Sequence, residues 1–120
     1  MSKELININY IPERSAATDY TSSEFRVQWA VDSIAFQFVF TGQVAGTAVF
    51  QARIIPEKWE QLEGCDPITF DIDQLSGSES TKIVVIPQTA NYCAGLRIVW
   101  TSLNAGATGS FSVGSRIMPI

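Results

Sequence analysis

Between Gly46 and Ile72 apolar and polar residues alternate in two runs around a charged turn, and the rest of the chain is organised about this unit. Strand side chains point to opposite faces in turn. In the first run Ala48, Phe50, Ala52 and Ile54 therefore share one face, and Thr47, Val49, Gln51 and Arg53 share the other. Pro56 and the charged Glu57-Lys58 break the run, and Trp59 and Leu62 are the apolar residues of the turn, expected to plug one end of a core. The second run predicts a strand with Ile68, Phe70 and Ile72 inward and Thr69, Asp71 and Asp73 outward.

The same period of two recurs on either side. Ile6, Ile8 and Tyr10 against Asn7 and Asn9 predict a first strand that stops at Pro12, and residues 12–24 read as a polar loop. Phe25, Val27, Trp29 and Val31 predict a second strand, which Asp32-Ser33 turns into a third. There Ile34, Phe36, Phe38 and Phe40 line one face while Val39 makes the other partly apolar, the pattern of a strand in mid-sheet. Lys82 to Ile86 is a short apolar strand ended by Pro87, and Gln88 to Gly95 is a loop. Leu96, Ile98 and Trp100 alternate with Arg97, Val99 and Thr101 before a turn from Asn104 to Gly109. Phe111 and Val113 start the last strand, and residues 115–120 read as a C-terminal tail. Short strands, regular turns and no helical stripe predict an all-β chain, residues 1–120 forming a single antiparallel β-sandwich, jelly-roll-like, with about eight strands. Its core is expected to hold Phe36, Phe38, Phe50, Trp59, Phe70, Ile98, Trp100 and Phe111.

Composition narrows the functions. Of the 120 residues only 17% are charged, while 46% are hydrophobic. That is less charge than the roughly 25% usual for a soluble domain, so much of the surface is Ser, Thr, Asn, Gln and Gly or is covered by a partner. A net charge of -4 with scattered basic residues argues against nucleic acid. No apolar run approaches the ~20 residues of a membrane span, and the opening residues lack a secretory signal's apolar core, so the expectation is a cytoplasmically made protein with no membrane partner. In that compartment Cys65 and Cys93 are expected to be free thiols.

The chain has no histidine, which removes Ser-His-Asp and Cys-His catalysis and imidazole metal ligands. No phosphate-binding or dinucleotide-binding glycine pattern is present, so no cofactor is expected. Asp71 and Asp73 share a strand face, and with Asp66 and Glu79 they offer oxygen ligands to calcium or a carboxylate pair to a glycosidase. A solvated outer face accounts for them more simply, because the spacing is not that of a ligand loop, and neither a metal site nor a catalytic residue is expected. Tyr20, Tyr92 and Trp59 are the candidates for stacking on a sugar ring, although aromatics of a small sandwich more often fill its core.

The segment from Gly46 to Ile72, followed by the segment from Cys93 to Ile117, resembles the small β-sandwich structural proteins of tailed-phage virions. The likeness lies in a Gly-Thr strand reaching a Gln, here Gly46 to Gln51, then a polar turn and Trp59. A strand from Tyr92 through Arg97 to Trp100-Thr101 then meets a hairpin with Gly106 and Gly109. The turn before Trp59 lacks the Asp-Gly of that pattern. The resemblance implies a non-enzymatic capsid decoration, neck or tail-associated subunit that forms a homo-oligomer and binds other virion proteins, made and assembled in the host cytoplasm. Related sandwiches occur in discoidin-like domains, so the alternative is a carbohydrate-binding module or receptor-binding domain for cell-surface glycans. A hydrolase using Asp71 and Asp73 is the third expectation.

Overall fold

The computed structural model describes residues 6–26, 31–86 and 93–119. Among the described residues there are ten strands: β1 (Ile6–Ser15), β2 (Tyr20–Thr21), β3 (Phe25–Arg26), β4 (Val31–Thr41), β5 (Val44–Arg53), β6 (Glu60–Gln61), β7 (Ile68–Ile72), β8 (Glu79–Ile86), β9 (Gly95–Ser102) and β10 (Ser110–Pro119). They form two antiparallel sheets. The first has the order β1-β10-β4-β8. In the second, β9 and β5 are central. β2 and β3 are two stretches of one edge along β9, and β6 and β7 are two stretches of the opposite edge along β5. Counting each interrupted edge once leaves eight strands, four to a sheet. The chain passes between the sheets in the manner of a jelly roll, so the expected sandwich is what forms.

Aromatic side chains fill the space between the sheets. Phe36, Phe38 and Phe40 point inward from β4 and meet Phe50, Phe70, Trp100 and Phe111, all buried. Ring centroids lie 4.6 Å apart for Phe40 and Phe70 and 4.6 Å for Trp100 and Phe111, the spacing of tilted aromatic pairs. Trp100 fits because Gly46, beside it on β5, has no side chain; a Cβ there would collide with the indole. Its Nε1–H donates to the Ala16 carbonyl at 3.1 Å, which pairs the polar atom that burial would otherwise leave orphaned.

Several expectations are corrected. Trp59 is not in the core but half-buried on the outside of the second sheet. Ile54 is not inward: β5 ends at Arg53, and Ile54 stands 69% exposed. Residues 12–24 are loop only in part, since β1 continues to Ser15 and β2 occupies Tyr20–Thr21. Pro12 is tolerated because β1 is an edge strand and its register with β10 shifts between Ile11 and Arg14, so no ladder hydrogen bond is lost there. Asp32 and Ser33 make no turn; they belong to β4, with Ser33 opposite Met118. Of the strand expected from Phe25 to Val31, residues 27–30 lie outside the described residues, and β3 covers Phe25–Arg26.

Residues 115–119 are not a tail but the end of β10, which lies between β1 and β4. Ile117 is 1% exposed and sits opposite Ile6 on one side and Ile34 on the other. Sequence alternation there is blurred by Ser112, Gly114 and Ser115, and only pairing on both edges makes the segment a central strand.

Candidate functional site

On the outside of the second sheet the register places Arg97 of β9, Gln51 of β5 and Gln61 of β6 in one row. Arg53, two residues beyond Gln51, pairs with Gly95 in the next outward row. Trp59, returning from the turn after β5, lays its ring against these arginines. The Arg97 guanidinium carbon is 4.3 Å from the ring centroid and that of Arg53 is 5.7 Å away, both in cation–π range. Arg97 Nε–H donates to Gln51 Oε1 at 2.7 Å, which holds the guanidinium in place. Arg53 Nε–H donates to Glu24, and Arg26 approaches the other Glu24 oxygen at 3.5 Å. The hydrogen bond from Arg53, and its charge with that of Arg26, hold the Glu24 carboxyl below the usual carboxylate range, and the same bond raises Arg53. Arg53 thus links the Glu24 carboxylate, which it shares with Arg26, to the Trp59 indole, which it shares with Arg97.

The turn that delivers Trp59 has a type II geometry. Lys58 N–H donates to the Ile55 carbonyl at 3.2 Å, Pro56 occupies the position where its fixed φ suits the turn, and Glu57 has φ 66°. A non-glycine residue in the left-handed region is strained. The turn leaves Ile54 and Ile55 exposed at its tip.

The carboxylates considered for metal or glycosidic chemistry do not gather. Asp66, Asp71, Asp73 and Glu79 are all exposed, and among the described residues no three metal-ligating side chains come together. Cys65 and Cys93 are buried and not joined by a disulfide; burial pushes both thiols up, with the Asp66 charge adding to the effect at Cys65. Of the aromatics considered for sugar stacking, Tyr92 lies outside the described residues. Tyr20 is covered by the Arg14 guanidinium, 3.3 Å from its ring centroid, and Trp59 by Arg97. Each has one face already occupied by a cation.

A second surface feature lies on the outer face of the first sheet. A shallow groove of about 590 Å³ is lined by Ala35, Gly114 and Ile83 among others. Ile83 and Val85 of β8 are 60% and 65% exposed. Asn9, Gln37 and Arg116 also line the groove.

Sequence reasoning passed over Glu24, Arg26, Arg53 and Arg97 as a group. Alternation did put Gln51, Arg53 and Arg97 on outward faces, but the pairing of β9 with β5, 46 positions apart for Arg97 and Gln51, is what brings them together.

No family model matches this chain, and no curated protein matches its sequence. Among solved structures, the fold is similar to a chain in the structure of infectious bursal disease virus, Gx strain, with a TM-score of 0.51 over 98% of this chain and 14% identity. This chain spans 32% of the length of that one. At such identity the likeness is one of fold, and the neighbour is not a tailed-phage protein.

Proposed function

We propose that this chain is a non-enzymatic structural subunit of a virus particle, working by binding copies of itself and neighbouring particle proteins. The observation that carries this reading is the likeness of fold, over 98% of this chain, to a chain of a virus structure. The surface supports it: among the described residues β8 offers an open edge with exposed Ile83 and Val85, and Ile54, Ile55, Leu75 and Leu103 are exposed apolar residues in loops. Such groups gain by being covered. The finer assignment, to a capsid decoration, neck or tail-associated protein of a tailed phage assembled in the host cytoplasm, draws on the sequence resemblance around Gly46–Gln51 and Arg97–Trp100.

Mass spectrometry of purified particles from the source organism tests this directly. The chain is expected at a fixed stoichiometry in intact particles, and sedimentation of the purified protein is expected to show self-association. Absence from particles together with a monodisperse monomer at high concentration would overturn the proposal.

A carbohydrate-binding module is the second reading, favoured by the surface position of Trp59 beside two arginines, an arrangement suited to an acidic sugar. A glycan array that includes sialylated and sulfated sugars decides it, because a clean negative removes the reading.

A further inference from the structure

Arg97 is an unusual arginine for an outer sheet face. Its guanidinium lies over the Trp59 ring and its Nε–H is taken by Gln51, so the side chain is held before any ligand arrives. Among the described residues it has no carboxylate partner, whereas Arg53 and Arg26 share the single Glu24. Arg97 is therefore the guanidinium of this cluster that enters no ion pair among the described residues, on a chain whose net charge is -4. A pre-held guanidinium loses little freedom when it binds, and its free edge presents a fork suited to a carboxylate. On the β6 side Glu60 and Glu63 border the same region, so a carboxylate meets favourable potential from the β9 side.

The complementary feature is on the same outer face at the other end of β5. Asp71 of β7 stands opposite Ala45, and Asp73 follows it; both are exposed, and neither forms an ion pair within the described residues. Two residues along an extended chain are separated by roughly 7 Å. Arg97 and Arg53 are diagonal neighbours across the β9–β5 ladder, a separation of roughly 7 to 8 Å. Ala45 and Arg53 are eight residues apart on β5, or roughly 26 Å, so one copy cannot join its own two ends.

We propose that copies of this chain join face to face, the Arg97 and Arg53 guanidiniums beside Trp59 on one copy receiving the Asp71 and Asp73 carboxylates of the other. The proposal rests on the reading of the chain as an assembling subunit, and it names the contact. Both patches lie on one outer face, so two copies turned face to face satisfy the contact twice about a two-fold axis, the Arg patch of each meeting the Asp patch of the other.

Charge reversal tests this in the full chain by sedimentation velocity at low and high salt. Wild type is expected to associate and to dissociate as salt is raised. R97E and D71R are each expected to weaken association by roughly tenfold or more, since each places like charges in contact. The milder R97Q is expected to fall between, and circular dichroism and thermal melting confirm that every variant folds. An equimolar mixture of R97E and D71R is expected to regain association, because each copy then offers the charge the other lacks. Single reversals that assemble as wild type does, or a mixture that stays as dissociated as its parts, would overturn the contact and leave the subunit reading standing if wild type still associates and enters particles. A wild type that is monomeric and absent from particles overturns both. A monomeric wild type whose binding to a sialylated or sulfated glycan is lost in R97E overturns the contact in favour of the sugar.

Discussion

Trp100 is fully buried, donates its indole N–H to the Ala16 carbonyl and packs on Phe111, whereas Trp59 lies half-buried on the outer face against two arginines. Trp100→Ala is expected to cost about 3 to 5 kcal/mol, the range for large core truncations. Trp59→Ala removes a surface cation–π stack worth about 1 kcal/mol and is expected to cost no more than that. Chemical denaturation of the two variants checks the contrast, and similar losses would put Trp59 in the core. Tyr10 supplies a pH dependence at the same scale. Its hydroxyl donates to the Ser23 carbonyl and lies 2.7 Å from Ser22 Oγ, and burial raises its pKa from 10.0 to about 12. The native state therefore keeps a proton there that the unfolded state loses above pH 10. This contribution is full below pH 10 and is lost as the pH rises toward 12, because the unfolded state binds fewer protons in that window. Tyr10→Phe should lose stability at neutral pH and show a flatter decline between pH 10 and 12 in thermal melts; an unchanged slope would contradict the assignment.

Among the elements, β8 shows how an open edge is kept from indiscriminate pairing. Within the described residues it hydrogen-bonds to β4 on one side only, and its outward Ile83 and Val85 are exposed. Lys82, opposite Phe38, points toward the inner face of this edge strand, and an inward-directed charge is one of the devices that blocks edge-to-edge association. Lys82→Val removes that charge and makes residues 82–86 one uninterrupted apolar run, so the variant is expected to aggregate faster than wild type when light scattering is followed on warming. Equal aggregation would mean that Lys82 has no such role. β5 and β7 are legible because apolar residues recur at every second position and their inner faces meet one core. β1 was cut short at Pro12 because a proline reads as a stop, and only its place at a sheet edge, beside a register shift, lets the strand run on to Ser15.

At the scale of the whole molecule the first sheet joins the beginning of the chain to its end, with β10 between β1 and β4. Deleting residues 117–120 takes the buried Ile117 from that central strand. Loss of a buried isoleucine and its ladder pairing is expected to destabilise the sandwich by at least about 2 to 5 kcal/mol, so the truncated chain should melt well below wild type by circular dichroism. A truncated chain as stable as wild type would show that the segment does not hold β10 in place. Local pattern is enough to assign the class of the fold. Apolar residues recur at every second position in Phe36–Phe40, Ala48–Ala52, Ile68–Ile72 and Leu96–Trp100, which marks strands with one face in a core, and the absence of histidine removes the commonest catalytic chemistry. The pattern also named most of the core, because large aromatics on an alternating face have nowhere else to be buried. Packing between distant segments makes residues 115–119 a central strand, places Trp59 outside and Trp100 inside, sets Arg97 and Arg53 against Trp59, and joins Arg53 and Arg26 through Glu24. The physical reason is shared by all of these: alternation assigns a residue to a face, but which strand lies beside it is set by pairings between segments far apart in the chain, and local pattern carries no record of them.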